Sequence, residues 1–124
     1  MKFVSTRGQA PAVDIDAALV AGLAPDGGLY VPDTIPAADL ARPRDSLADT
    51  ALATLAPWFA GSRIQSQLPG LCADAFAWPA PLRALAGDGD HLLELFHGPT
   101  AAFKDYAARF LAGALSALRT PHAA

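Results

Sequence analysis

The stretch Leu92-Leu93-Glu94-Leu95-Phe96-His97-Gly98-Pro99-Thr100-Ala101-Ala102-Phe103-Lys104-Asp105-Tyr106 decides how this 124-residue chain is read. Leu92, Leu93, Leu95 and Phe96 make a short apolar run suited to a buried strand, which Gly98-Pro99 breaks. Thr100 is placed to N-cap a helix. Beyond it, Phe103, Ala107, Phe110, Leu111, Ala114, Leu115 and Leu118 recur at helical spacing and predict that helix over 103–119 with one face in the core. Lys104 falls in its first turn. It is one of only two lysines, the other being Lys2, while the remaining seven basic residues are arginine. A chain that defaults to arginine yet sets a lysine at a strand-to-helix elbow points to a need for a primary amine. Lysine, unlike arginine, can lose its proton and attack a carbonyl, which is Schiff-base chemistry. A lone lysine at a helix start is more often a solvated charge, so the flanking residues carry the weight.

Those residues resemble a known family. The run His97-Gly98-Pro99-Thr100-Ala101-Ala102-Phe103-Lys104-Asp105, continued by Tyr106-Ala107-Ala108-Arg109-Phe110-Leu111, is similar to the lysine motif of threonine synthase, a pyridoxal-phosphate (PLP) enzyme. Lys2-Phe3-Val4-Ser5-Thr6-Arg7-Gly8 looks like the opening strand of that family. Gly22 to Pro32, with Asp26-Gly27-Gly28 at its centre, looks like its Asp-Gly-Gly turn. By itself Asp26-Gly27-Gly28 is a turn signal rather than chemistry.

The resemblance implies an α/β fold. A small α+β N-terminal subdomain over residues 1–79 is followed, over 80–124, by the first strand and helix of a truncated fold-type II PLP-enzyme domain. It further implies a fragment, matching only the N-terminal part of a longer lyase that converts O-phospho-L-homoserine and water into L-threonine and phosphate. Lys104 is then the catalytic residue, holding the cofactor and moving protons. Thr100 and Asp105 orient it or the helix start, and Phe103 packs near the cofactor. The residues for the cofactor phosphate, its ring nitrogen and the substrate phosphate are expected in the missing C-terminal part, the partner this chain requires. Two alternatives stay open. One is another fold-type II PLP lyase such as a serine or threonine dehydratase, and the other is a non-catalytic truncated gene product acting only as an interaction module.

Composition narrows the field independently. Hydrophobic residues are 52% and charged residues 17% of the chain, below the roughly one quarter charged that is typical of soluble domains, so some apolar surface is expected to meet a partner. A net charge of −3 without a basic stripe argues against nucleic acid and anionic membrane. No secretory signal and no run of membrane-spanning length is present, and the single Cys72 reads as a small apolar residue in a reduced, cytoplasmic compartment. His91, His97 and His122 lack metal-ligand spacing, and Gly87-Asp88-Gly89-Asp90 reads as a tight turn without the later acidic ligands of a calcium loop, so no metal is expected.

The remaining elements are legible by period and punctuation. Strands are expected over 2–7 and 29–31, a helix over 15–23, and a proline-punctuated loop with a possible helical turn over 32–43. Ser46 should cap a helix over 47–59 that Pro57 ends or kinks, and Leu71 to Phe76 should form a short helix. Leu19, Leu23, Leu29, Leu52 and Leu55 are the expected core of the N-terminal subdomain.

Overall fold

Phe3–Ser5 forms strand β1, and its short apolar-polar alternation is completed by an antiparallel partner far along the chain, β2 (Tyr30–Pro32), in the register Phe3↔Pro32, Val4↔Val31, Ser5↔Tyr30. The computed structural model describes residues 1–37, 41, 42, 44–87 and 89–119. The possible helical turn in the 32–43 loop therefore lies partly outside the described residues, as do His122 and the Asp88 position of the 87–90 turn. Between the strands runs helix α1 (Ile15–Ala21), started by the Asp14 carboxylate, which accepts from Ala17 N–H at 2.8 Å.

The Ser-Thr-Arg-Gly and Asp-Gly-Gly segments, distant in sequence, form one polar unit. The buried Ser5 hydroxyl donates to Asp26 Oδ1 at 2.7 Å. The same carboxylate accepts from Gly28 N–H at 2.9 Å and Gln9 N–H at 3.0 Å, while Arg7 Nη1 donates to the Asp26 carbonyl at 3.1 Å. A Cβ on Gly28 would overlap Ser5 Oγ, so glycine here permits the close approach that closes the turn.

The core is helical. In α2 (Leu47–Leu55), Ser46 Oγ accepts from Asp49 N–H at 3.0 Å and donates to Asp49 Oδ2 at 2.6 Å, and the helix ends before Pro57. A 3-10 turn (Gln65–Gln67) leads into α3 (Leu68–Ala75). That helix begins three residues earlier than its sequence suggests, because Pro69 sits in the first turn, where a missing N–H costs nothing. The last helix, α4 (Lys104–Arg119), packs on α3 and α1.

Phe59, Ile64, Leu68, Cys72, Ala114 and Leu118 are buried together, with the Phe110 ring against Phe59 at 5.8 Å and Phe76 at 6.1 Å. Thus α4, which a boundary at residue 79 assigns to the second unit, contributes to the same core as the first. The buried Asp16 carboxylate fastens α1 to the following layer by accepting from Ser62 Oγ and from Arg63 N–H at 2.9 Å. Burial pushes the Cys72 thiol up, as suits a small apolar filler.

Three expectations are corrected. Leu19, Leu52 and Leu55 do pack against the core, but Leu23 and Leu29 are 58% and 59% exposed. They flank the Asp26 turn, bridged to each other, with no layer over them among the described residues. The buried strand over 92–96 is instead β4 (His91–Leu93), every residue of it exposed. It pairs antiparallel with β3 (Leu82–Ala84) in a two-stranded hairpin, Leu82↔Leu93 to Ala84↔His91. Finally, α4 buries the C-terminal part of the expected stripe but not its start. Tyr106, Ala114 and Leu118 are buried with Phe110 half-buried, at spacings of four, while Phe103 and Leu111 remain exposed. Phe110, Ala114 and Leu118 lie on the expected face, and in the first turn Tyr106 takes the inward place instead of Phe103.

Candidate functional site

Beyond β4 the chain stays extended for one more hairpin bond, Glu94 N–H to the Pro81 carbonyl at 2.9 Å. The Glu94 carboxylate then gathers the end of the hairpin, accepting from Arg83 Nε at 3.2 Å and lying 2.8 Å from His97 Nε2. The His97 hydrogen bond, followed by the Arg83 charge, holds this carboxyl below the usual range. At Gly98 the direction changes. Ala101 N–H closes a turn on the Gly98 carbonyl at 3.0 Å, with Ala101 itself at φ 54°.

Asp105 builds the inside of this elbow. It is 7% exposed, and its carboxylate reaches back five residues to accept from Thr100 N–H at 2.8 Å and from Thr100 Oγ at 2.7 Å. The backbone at Gly98 passes directly over it. A Cβ on Gly98 would stand 2.5 Å from Asp105 Oδ2 and 2.7 Å from Asp105 Cβ, closer than any real Cβ contact, so the elbow closes only over glycine.

Thr100 is therefore not the N-cap its position suggests. Its hydroxyl donates to Asp105, and the helix begins four residues later at Lys104. The helix starts at Lys104, which puts the cap position at Phe103 and leaves Thr100 outside it, bonded to Asp105. Lys104 is the first residue of α4 and is exposed, with no hydrogen bond or ion pair among the described residues; the following two residues, Asp105 and Tyr106, are both buried. Phe103 is 65% exposed rather than packed, at the rim of an open groove of about 530 Å³ lined also by Leu93, Leu95, Tyr106, Ala107 and Phe110. The structure thus bonds Thr100 to Asp105 and sets Lys104 and Phe103 beside them with their side chains free.

Two further residues belong to this region. The Tyr106 ring packs on Trp78 at 5.8 Å between centroids and its hydroxyl donates to the Pro79 carbonyl at 2.8 Å, while the Arg109 guanidinium lies 5.2 Å from the Trp78 ring centre. An aromatic residue on an apolar helix reads as core, and only the spatial meeting with the 78–81 connector reveals its polar end.

The arrangement offers a hydrogen-bonded elbow carrying an exposed primary amine at the start of α4. That suits covalent capture of a carbonyl-bearing cofactor. Among the described residues, no group of three or more His, Cys, Asp or Glu side chains is disposed to hold a metal ion.

The Thr100 bonds, first the side chain and then the backbone, hold the Asp105 carboxyl below its ordinary value. A carboxyl depressed in the folded state adds stability above its unfolded pKa, and that stability is lost as pH falls through the lowered value. Asp105→Asn should accordingly reduce the melting temperature at pH 7, and the gap to the unmodified protein should close in strong acid. A gap independent of pH would show that the charge at 105 does not hold the elbow.

The chain is similar to proteins of one family. The sequence profile of the family described as threonine synthase N terminus matches residues 2–76. Threonine synthase of Pseudomonas aeruginosa is 40% identical over 120 residues, an alignment covering 90% of this chain and 25% of that protein. The crystal structure of PLP-bound threonine synthase from Brucella melitensis superposes with a TM-score of 0.85 at 38% identity, over 95% of this chain and 27% of that one. Yeast threonine synthase does so with a TM-score of 0.78 at 36% identity, over 93% and 25%. The chain spans about a quarter of the length of these relatives.

Proposed function

We propose that this chain, which belongs to the threonine synthase N-terminal family, supplies the N-terminal unit and the lysine-bearing elbow of a PLP-dependent threonine synthase. The reaction is conversion of O-phospho-L-homoserine and water into L-threonine and phosphate, by a lyase of the cytoplasm. The observation that carries the reading is Lys104: an exposed amine, unpaired among the described residues, on the first residue of a helix whose next two residues are buried.

The residues present fit the cofactor. A carbonyl needs a primary amine held on a backbone that does not move, and the Gly98, Thr100 and Asp105 elbow provides that backbone. Phe103, exposed beside Lys104 in the chain, would pack near the cofactor. Bound PLP supplies the electron sink that stabilises carbanions on the substrate. Lys104 Nζ would hold the cofactor and would carry protons at the substrate carbons. Asp105 and Thr100 would position the lysine without touching the reacting atoms.

The groups for the cofactor phosphate, the ring nitrogen and the substrate phosphate are assigned to the remaining length of such an enzyme. The same remainder would cover Leu92, Leu93, Phe96, Phe103 and Leu111, all exposed here. The compartment rests on Cys72, a free buried thiol. No helix among the described residues is long and apolar enough to cross a membrane. The test is product analysis of the full-length enzyme carrying this sequence, loaded with PLP. Phosphate and threonine released in equal amounts from O-phospho-L-homoserine would support the assignment. A 2-oxo acid and ammonia formed from serine or threonine would point to a dehydratase instead.

A further inference from the structure

We propose that Tyr106 is a positioning residue for Lys104, acting through its hydrogen bond to the connector that joins the helical core to the β3–β4 hairpin. This rests on the assignment of Lys104 as the amine that binds the cofactor. Lys104 makes no hydrogen bond or ion pair among the described residues, so the point from which its side chain extends is wherever the first turn of α4 is held.

Two fastenings hold that turn. Asp105 binds Thr100, only five residues away, and so locks elbow and helix into one piece without fixing where the piece sits. The tie from Tyr106 Oη to the Pro79 carbonyl, at 2.8 Å, spans 27 residues. It closes a circuit from connector through hairpin and elbow to helix and back. Tyr106 is 8% exposed, its ring lies against Trp78, and Arg109 one turn later stacks on the same indole. The connector is thus gripped from two successive turns of α4 on a shared aromatic surface. Further along, Phe110, Ala114 and Leu118 hold the helix in the core, the nearest of them six residues beyond the lysine. The tie nearest Lys104 that reaches outside the elbow is therefore Tyr106, two residues beyond it.

Tyr106→Phe removes the hydroxyl and keeps the ring. In the full-length enzyme it should slow borohydride trapping of added PLP on Lys104 about fivefold and speed amide exchange over residues 104–107 by a similar factor, the effect of one net hydrogen bond. It should lower kcat while leaving KM nearly unchanged. Ser62→Ala, which breaks the bond from Ser62 to Asp16 at the far side of the core, serves as the control. It should lower the melting temperature comparably without changing the trapping rate. The proposal is overturned if Tyr106→Phe traps PLP at the unmodified rate, or if Ser62→Ala slows trapping equally, since the effect would then follow stability alone. Trapping needs no turnover. If the unmodified enzyme releases no phosphate from O-phospho-L-homoserine while Tyr106→Phe still slows trapping, the threonine synthase reading fails and the positioning role stands.

Discussion

Replacing Lys104 by alanine in the full-length enzyme is expected to lower kcat for threonine formation by at least about 10³-fold, because one side chain both holds the cofactor and moves the protons. Stability should hardly change. Lys104 is exposed and unpaired among the described residues, and surface substitutions of that kind usually stay within about 0.5 kcal/mol. Lys104→Arg should be as inactive, since a guanidinium keeps the charge but cannot bond a carbonyl carbon. Parallel rate and denaturant-unfolding measurements on both variants check this. Retained turnover in either would remove Lys104 from the chemistry.

Gly98→Ala is expected to have the next largest effect, and it would act on fold and function together. The new methyl group would meet the Cβ and carboxylate of Asp105 at 2.7 and 2.5 Å. Asp105 cannot swing away, since it is buried and both its oxygens are bonded to Thr100. The elbow must open instead. Overpacking of this kind costs about 1–3 kcal/mol, and a shift of the lysine by about 1 Å lowers turnover about 10²-fold. Unfolding and kinetics of the single variant would read both. An alanine accommodated with neither loss would mean the elbow is more yielding than its contacts indicate.

Much of this architecture is written in local signals. Ser46 announces the start of α2 and Pro57 its end, because a cap and a missing N–H act on neighbours in sequence. The apolar period from Phe103 onward gives α4 to within a residue. It also gives the inward face from Phe110 to Leu118. What it cannot give is the first turn, where Tyr106 turns inward onto the Trp78 connector while Phe103 and Ala107 stay exposed. The same limit explains the exposed Leu23 and Leu29, whose apolar character says nothing about whether a layer covers them.

The elbow divides along the same line. A lysine after a Gly-Pro break stands out in sequence. The dependence of Gly98 on Asp105 does not, since it is a contact between a missing atom and a carboxylate seven residues away. Thr100 is misread for a related reason. The turn over Gly98 delays the helix to Lys104, so the cap position falls three residues beyond Thr100. The union of Ser5 with Asp26, and of Tyr106 with Pro79, becomes visible only when strands and helices have folded back on one another.

Reduction of the PLP-loaded full-length enzyme with borohydride, followed by peptide mapping, is the decisive experiment for Lys104, because it fixes the cofactor to whichever amine holds it. A pyridoxyl group is expected on Lys104, and no label at position 104 in the Lys104→Ala variant. A label on Lys2 or on a lysine elsewhere in the enzyme, with Lys104 unmodified, would contradict the assignment.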